Sequence, residues 1–147
     1  MQIKYYIILF IAAQLLNCHT AMNDSVLIKE LLEKESATWR ASDFKGHSDC
    51  WHIQPYSKIL VSNAITGKTY DVPPALMKDS TATMGDGGSS INSNYKMSIH
   101  GDNAWVSHEE VSTAKDGANT YSYEIRILEK VEGKWKLVGQ SIHIYTP

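Results

Sequence analysis

The last third of the chain constrains the fold most, because it reads as consecutive strands that carry their own turn chemistry. Asn94 to His100 runs into Gly101-Asp102-Asn103, and Ala104 to Thr113 leads to Asp116-Gly117. Thr120 to Lys130 ends at Glu132-Gly133, and Lys134 to Tyr145 follows. Gly, Asn and Asp supply the positive φ that tight hairpins need, and the runs between them are rich in Val, Ile, Tyr and Trp. The pattern predicts a four-stranded antiparallel meander.

The residues ahead of the meander read mostly as helix. Asp24 or Ser25 can cap a first helix with an apolar stripe of Leu27, Ile28, Leu31, Leu32 and Trp39, and with Lys29, Glu30, Glu33 and Lys34 on the other face. Asp43 can cap a short second helix through Phe44, His47 and Trp51, ended by Pro55. Ser57 to Ser62 and Thr69 to Val72 are candidate strands, and Pro73-Pro74 can open a third helix through Ala75, Leu76 and Met77. About three N-terminal helices set against an antiparallel sheet make an α+β domain.

Strand parity divides the side chains between two faces. On the second meander strand Ala104, Val106, His108 and Glu110 oppose Trp105, Ser107, Glu109 and Val111. The small residues favour the Ala104 face as inward, which leaves Trp105 outside as a dimer contact. On the third strand Tyr121, Tyr123, Ile125 and Ile127 alternate with Ser122, Glu124, Arg126 and Leu128. On the last, Trp135 and Leu137 share a face with Gly139, Ser141 and His143 unless a bulge reverses the list.

The N-terminus reads as a leader. Lys4 precedes an apolar run from Tyr5 to Leu16, too short to span a bilayer and suited to a signal-peptide core. Leu15-Leu16-Asn17-Cys18 is similar to a bacterial lipobox, although Asn17 stands where a small residue is usual. The expectation is a signal peptide over residues 1–21, with cleavage before Cys18 and lipidation of that cysteine, or ordinary cleavage nearer Ala21. An exported bacterial chain, periplasmic or lipid-anchored in the outer membrane, would follow. One domain would then occupy residues 22–147, long enough for a real core.

Composition removes several function classes. The net charge of −2 and the scattered basic residues argue against a nucleic-acid partner. Cys50 is the only cysteine outside the leader, so no disulfide is available within the domain. The glycines from Gly85 to Gly88 lack the Lys-Ser/Thr continuation and strand-to-helix setting of a phosphate loop.

With that layout, the chain resembles the SnoaL-like members of the nuclear-transport-factor-2-like superfamily, from about Val26 to His143. Three segments carry the resemblance: Thr38-Trp39-Arg40-Ala41-Ser42-Asp43 with Cys50-Trp51-His52-Ile53-Gln54-Pro55-Tyr56, then Gly101-Asp102-Asn103-Ala104-Trp105-Val106, then Arg126 to Val138. It implies a cone in which a curved sheet wraps around helices, with a pocket at the wide end and a homodimer formed through the sheet. Many relatives carry histidines soon after the last-strand tryptophan. Here Gly139 and Gln140 fill the nearest positions and only His143 follows. The superfamily includes isomerases, cyclases and dehydratases beside binding and assembly modules, so the fold does not decide the activity.

The candidate chemistry follows from residue type and face. His108, Glu110 and His143 are the acid/base candidates, since a carboxylate in an apolar pocket has a raised pKa and an imidazole can relay its proton. Trp39, Trp51, His52, Tyr56, Tyr121, Tyr123 and His143 are the candidates for lining a pocket around a small, largely apolar ligand. His47, Asp49, Cys50 and His52 cluster in sequence but lack a second pair at zinc spacing, so no metal and no cofactor is expected. A binding module is the leading reading. A small-molecule isomerase, cyclase or dehydratase and a dimeric assembly module are the alternatives, and the membrane enters only through a lipid anchor.

Overall fold

The computed structural model describes residues 24–85 and 87–147, and the predicted leader with its lipidation site at Cys18 lies outside them. Helix α1 covers residues 24–40. Its inward face is Asp24, Ile28, Leu32, Glu35, Ser36 and Arg40, at the spacing that stacks side chains on one side of a helix. This face corrects the expected stripe, because Leu27 and Trp39 are each 40% exposed. Asp24 is helical rather than a cap. Its carboxylate accepts from Trp135 Nε1 at 3.0 Å and from Lys130 Nζ at 2.7 Å, tying the start of α1 to the last hairpin.

Asp43 caps α2 (Phe44–Ser48) as expected, accepting from the Gly46 N–H at 3.0 Å. The helix stops before Trp51, which forms an isolated bridge to Leu137. The expected third helix is a single 3-10 turn over Pro74–Lys78, so the helix count is about two. Its bonds run from i+3 to i, with the Leu76 N–H donating to Pro73 O at 3.0 Å and the Asp79 N–H to Leu76 O at 3.2 Å.

The strands are β1 (Lys58–Asn63), β2 (Lys68–Val72), β3 (Ser89–His100), β4 (Asn103–Thr113), β5 (Asn119–Val131) and β6 (Lys134–Tyr145). They form one sheet in the order β2-β1-β6-β5-β4-β3. β3 to β6 make the predicted meander, and β1 joins it by lying parallel to β6. The β5–β6 hairpin turns on Glu132 (φ 50) and Gly133 (φ 75), the paired positive φ of a two-residue loop. β3 starts at Ser89 rather than Asn94, with an irregularity between Ser93 and Lys96 where Asn94 has φ 55.

Parity then propagates across the sheet. Ala104, Val106, His108 and Glu110 are buried and Trp105 is 47% exposed, which makes the Ala104 face the inner one. Directly paired residues share a face. The register Ala104↔Leu128, Val106↔Arg126, His108↔Glu124 and Glu110↔Ser122 therefore turns those β5 residues inward. Tyr121, Tyr123, Ile125 and Ile127 face outward. On β6 the pairing steps from Leu128↔Leu137 to Ile127↔Gly139, so Val138 is an extra residue and the parity reverses there. Trp135 and Leu137 point into the core below the bulge, and Gln140 and Ile142 point inward above it.

The apolar core joins Ile28 and Leu32 of α1 to Trp51, Ile59, Val106, Leu128, Trp135 and Leu137. Beyond the level of Leu128 the inner face changes character, and Arg126, Glu124 and Ser122 are buried in succession. Asp24 is the polar tie of the core end. Asp24→Ala strands the Trp135 N–H and the Lys130 ammonium, and is expected to cost about 2 kcal/mol. Urea unfolding followed by Trp fluorescence measures this, with an unchanged slope showing that the native fold persists.

Candidate functional site

The buried polar residues surround a cavity of about 630 Å³, within the range of small-molecule sites. Glu35, Ser36 and Arg40 of α1, His47 of α2, Glu110 of β4, Glu124 and Arg126 of β5, and Gln140 of β6 form one side of its lining. Apolar residues form the other: Ile59, Val61 and Val72 from β1 and β2, Leu76 and Met77 from the 3-10 turn, and Ile142. Trp39, Asp79 and the segment from Thr81 to Met84 complete the lining. The Gly85 N–H donates to Trp39 O at 3.1 Å, which holds that segment against the end of α1.

Two ion-pair sets organise the polar side. In the first, Arg40 Nη2 donates to Glu110 Oε1 at 2.5 Å and to Ser112 Oγ at 2.7 Å. Arg40 Nη1 donates to Ser36 Oγ at 2.6 Å and Ser36 O at 3.1 Å, while the Ser36 hydroxyl donates to Glu110 Oε2 at 2.7 Å. In the second, Arg126 donates to Glu124 and Gln140, and its Nη1 lies 3.3 Å from Glu35 Oε2. Glu124 Oε1 also accepts from Ser122 Oγ at 2.9 Å. His47 Nε2 lies 3.1 Å from Glu35 Oε1.

Burial alone would push the Glu35 pKa up, but the charge of Arg126 and the hydrogen bond from His47 hold it below the usual carboxylate range. Glu35 is thus an anion, and His47 Nε2 is the donor of the pair. Arg126 keeps its charge against burial because Glu124 and Glu35 flank it.

The structure separates the candidates drawn from the sequence. Trp39 and Glu110 line the cavity. Glu110 is fully engaged by Arg40 and Ser36, which leaves it poorly placed as a free base. His108 is buried on β4, stacked on Tyr95 with ring centroids 5.1 Å apart and with Nε2 3.6 Å from Glu124 Oε2. It sits beside Glu124 and off the cavity lining. Trp51 belongs to the core. His52 turns its ring to Gln54, and Tyr56 is exposed and donates to Glu129 at 2.8 Å.

Tyr121, Tyr123 and His143 correct the expected pocket lining, because all three face outward. Register to the inward β4 residues places the two tyrosines outside, and the Val138 bulge places His143 there. Tyr123 and Tyr145 stack at 4.5 Å on that outer face. The residues once grouped as metal candidates go to separate partners: His47 to Glu35, Asp49 to Lys45, Cys50 to the Gly46 carbonyl and His52 to Gln54.

Glu35, Ser36, Arg40, Glu124, Arg126 and Gln140 were missed as site residues. A signal for the first three exists, since they continue the Ile28–Leu32 stripe at helical spacing with polar side chains. Glu124 and Arg126 follow from β4 parity once the hairpin register is fixed.

His108 carries a pH signature. Burial, and then the nearby Arg126 charge, holds its pKa below the usual 6.5, so the folded state keeps it neutral where the unfolded chain would protonate it. Stability associated with His108 is present above pH 6.5 and is lost as pH falls from there toward the folded value. Thermal melts between pH 7.5 and pH 5.5 are expected to show about that loss in the wild type and a flatter profile in His108→Gln.

No protein-family model and no curated protein matches the sequence. Solved structures match it in three dimensions. An NTF2-like protein with a cystatin-like fold from Novosphingobium aromaticivorans superposes with a TM-score of 0.65 at 17% identity, over 90% of this chain and 88% of that one. A cystatin-like protein of unknown function from Nostoc punctiforme gives 0.63 at 16% identity, over 83% of this chain and 91% of that one. A candidate dehydratase of the NTF2-like family from Streptomyces avermitilis gives 0.66 at 11% identity, over 86% and 99%. Identities this low speak to architecture alone, and the architecture is the cystatin-like, NTF2-like fold that the sequence resembles.

Proposed function

We propose that the chain binds a small amphipathic molecule in its cavity, with the polar end toward Glu35, His47 and Arg126 and the apolar body against Ile59, Val61, Met77 and Ile142. The carrying observation is one cavity of about 630 Å³ whose charged residues come mostly from α1, β4 and β5 and whose aliphatic residues come largely from β1 and β2, across β6 in the sheet. A small, largely apolar guest, as expected from the sequence, would meet only the aliphatic part of this lining, whereas an amphipathic one meets both. The leader read from Tyr5 to Cys18 supports placing this binding outside the cytoplasm.

Native mass spectrometry of the purified domain tests the reading. The expected result is a bound small molecule that leaves on denaturation, and its loss in Val61→Trp, which fills the cavity. A wild-type protein that carries no ligand and is stabilised by no member of a small-molecule panel would overturn it.

Acid/base turnover is a second reading, favoured by the His47–Glu35 pair on the lining at 3.1 Å and by neighbours in fold space that are candidate dehydratases. An anionic Glu35 orienting the imidazole would leave Nδ1 to exchange a proton with a bound molecule. Once the ligand is known, His47→Gln is expected to retain binding while lowering turnover by about 100-fold or more.

The same proposal includes a homodimer through the outer sheet face. Trp105, Tyr123, Ile125 and Ile127 are each between 43% and 52% exposed, and Trp105 lies directly beside Ile127 in register. Such a contiguous apolar patch is unusual on a monomer. Light scattering on the wild type is expected to give twice the chain mass, and Ile125→Glu/Ile127→Glu is expected to give a folded monomer.

A further inference from the structure

The charge of the cavity lining narrows the ligand class, and this inference rests on the binding reading above. Three carboxylates (Glu35, Glu110 and Glu124) and two guanidiniums (Arg40 and Arg126) share the buried side. The Arg40–Glu110 pair is closed. All four terminal N–H groups of Arg40 are spent on Glu110, Ser112 and the hydroxyl and carbonyl of Ser36. That pair is neutral and offers no anchor to a ligand.

The second set does not balance. Arg126 is shared between Glu35 and Glu124, leaving one negative charge in excess. Among the described residues no lysine lines the cavity, and the one further charged residue there, Asp79, adds to the negative side. His108 cannot compensate, because it is held neutral beside Arg126. His47 meets the set through Glu35, to which its Nε2 donates. Among side chains as buried as Glu35, Glu124 and Arg126, such an excess attracts a cation and repels an anion more than it would in bulk solvent.

We infer that the cavity is selective for a small amphipathic amine: a protonated nitrogen against Glu35 and Glu124, and an uncharged aliphatic or aromatic body against Val61, Met77 and Ile142. Carboxylates and phosphates of the same skeleton are disfavoured. Arg126 already holds Glu35, Glu124 and Gln140, and an incoming anion would have to displace one of them.

Three probes of one skeleton test this: 4-phenylbutylamine, 4-phenylbutanol and 4-phenylbutyrate, titrated into the full domain at pH 7.5 by calorimetry. The amine is expected to bind about tenfold or more tightly than the alcohol, and the carboxylate more weakly than either. Glu124→Gln keeps the Ser122 contact but removes the excess charge. It is expected to bring amine and alcohol to within about threefold while circular dichroism remains native.

Equal affinities in the wild type, or a preference for the carboxylate, would overturn the inference while leaving cavity binding intact. Binding of none of the three would overturn the inference, while the binding reading stands or falls on the mass spectrometry above. An amine preference that survives in a folded Glu124→Gln would also overturn the inference. The wild-type comparison needs no variant, so it decides even if Glu124→Gln fails to fold.

Discussion

The polar half of the molecule depends on one guanidinium. Arg126 is buried on β5, and its partners come from three directions: Glu35 on α1, Glu124 on its own strand and Gln140 on β6. Through Glu35 the set extends to His47 on α2. A lone charge at this depth would be costly, and two carboxylates around Arg126 turn that cost into a geometric constraint. Removing one member of such a set typically costs about 3–5 kcal/mol, a large part of what holds a domain together. The cavity exists because these side chains hold one another apart from the apolar core rather than collapsing into it.

Two ends of the same sheet therefore obey different rules. At the core end Leu128, Val106, Trp135 and Leu137 pack as an ordinary interior under Ile28 and Leu32. At the cavity end the inward positions of the same strands are Ser122, Glu124, Arg126, Glu110 and Gln140. The Val138 bulge marks the change on β6. Below it Leu137 fills the core, and above it Gln140 and Ile142 take the inner face. Cavity and packed core thus share one scaffold, and Ile59 belongs to both.

The meander was legible because its turns are local. Gly133 and Gly101 advertise positive φ by residue type, and Lys134–Tyr145 matches the expected strand end for end. The inward face of β4 was legible from residue size, since the small Ala104 can pack beneath a helix and Trp105 cannot easily do so. The candidate site was much less so. On β5 the aliphatic residues face out and the charged ones face in, the reverse of ordinary amphipathic reading, and only the register to β4 reveals it. The bulge at Val138 leaves no composition signal, and it moved His143 from one face to the other. Pro73-Pro74 correctly announced a helical turn, which closes in 3-10 rather than α geometry. Tertiary pairing, rather than local preference, decided each of these.

The reversed pattern of β5 has a consequence for the chain before it folds. Tyr121-Ser122-Tyr123-Glu124-Ile125-Arg126-Ile127-Leu128 would be a strong cross-β segment if its even positions were apolar. Glu124 and Arg126 interrupt it with opposite charges at every second step, the placement by which natural strands resist intermolecular stacking. The residues that shape the cavity in the native state are thus also the gatekeepers of the nascent strand. Remodelling the pocket with aliphatic residues at both positions would remove the two protections together.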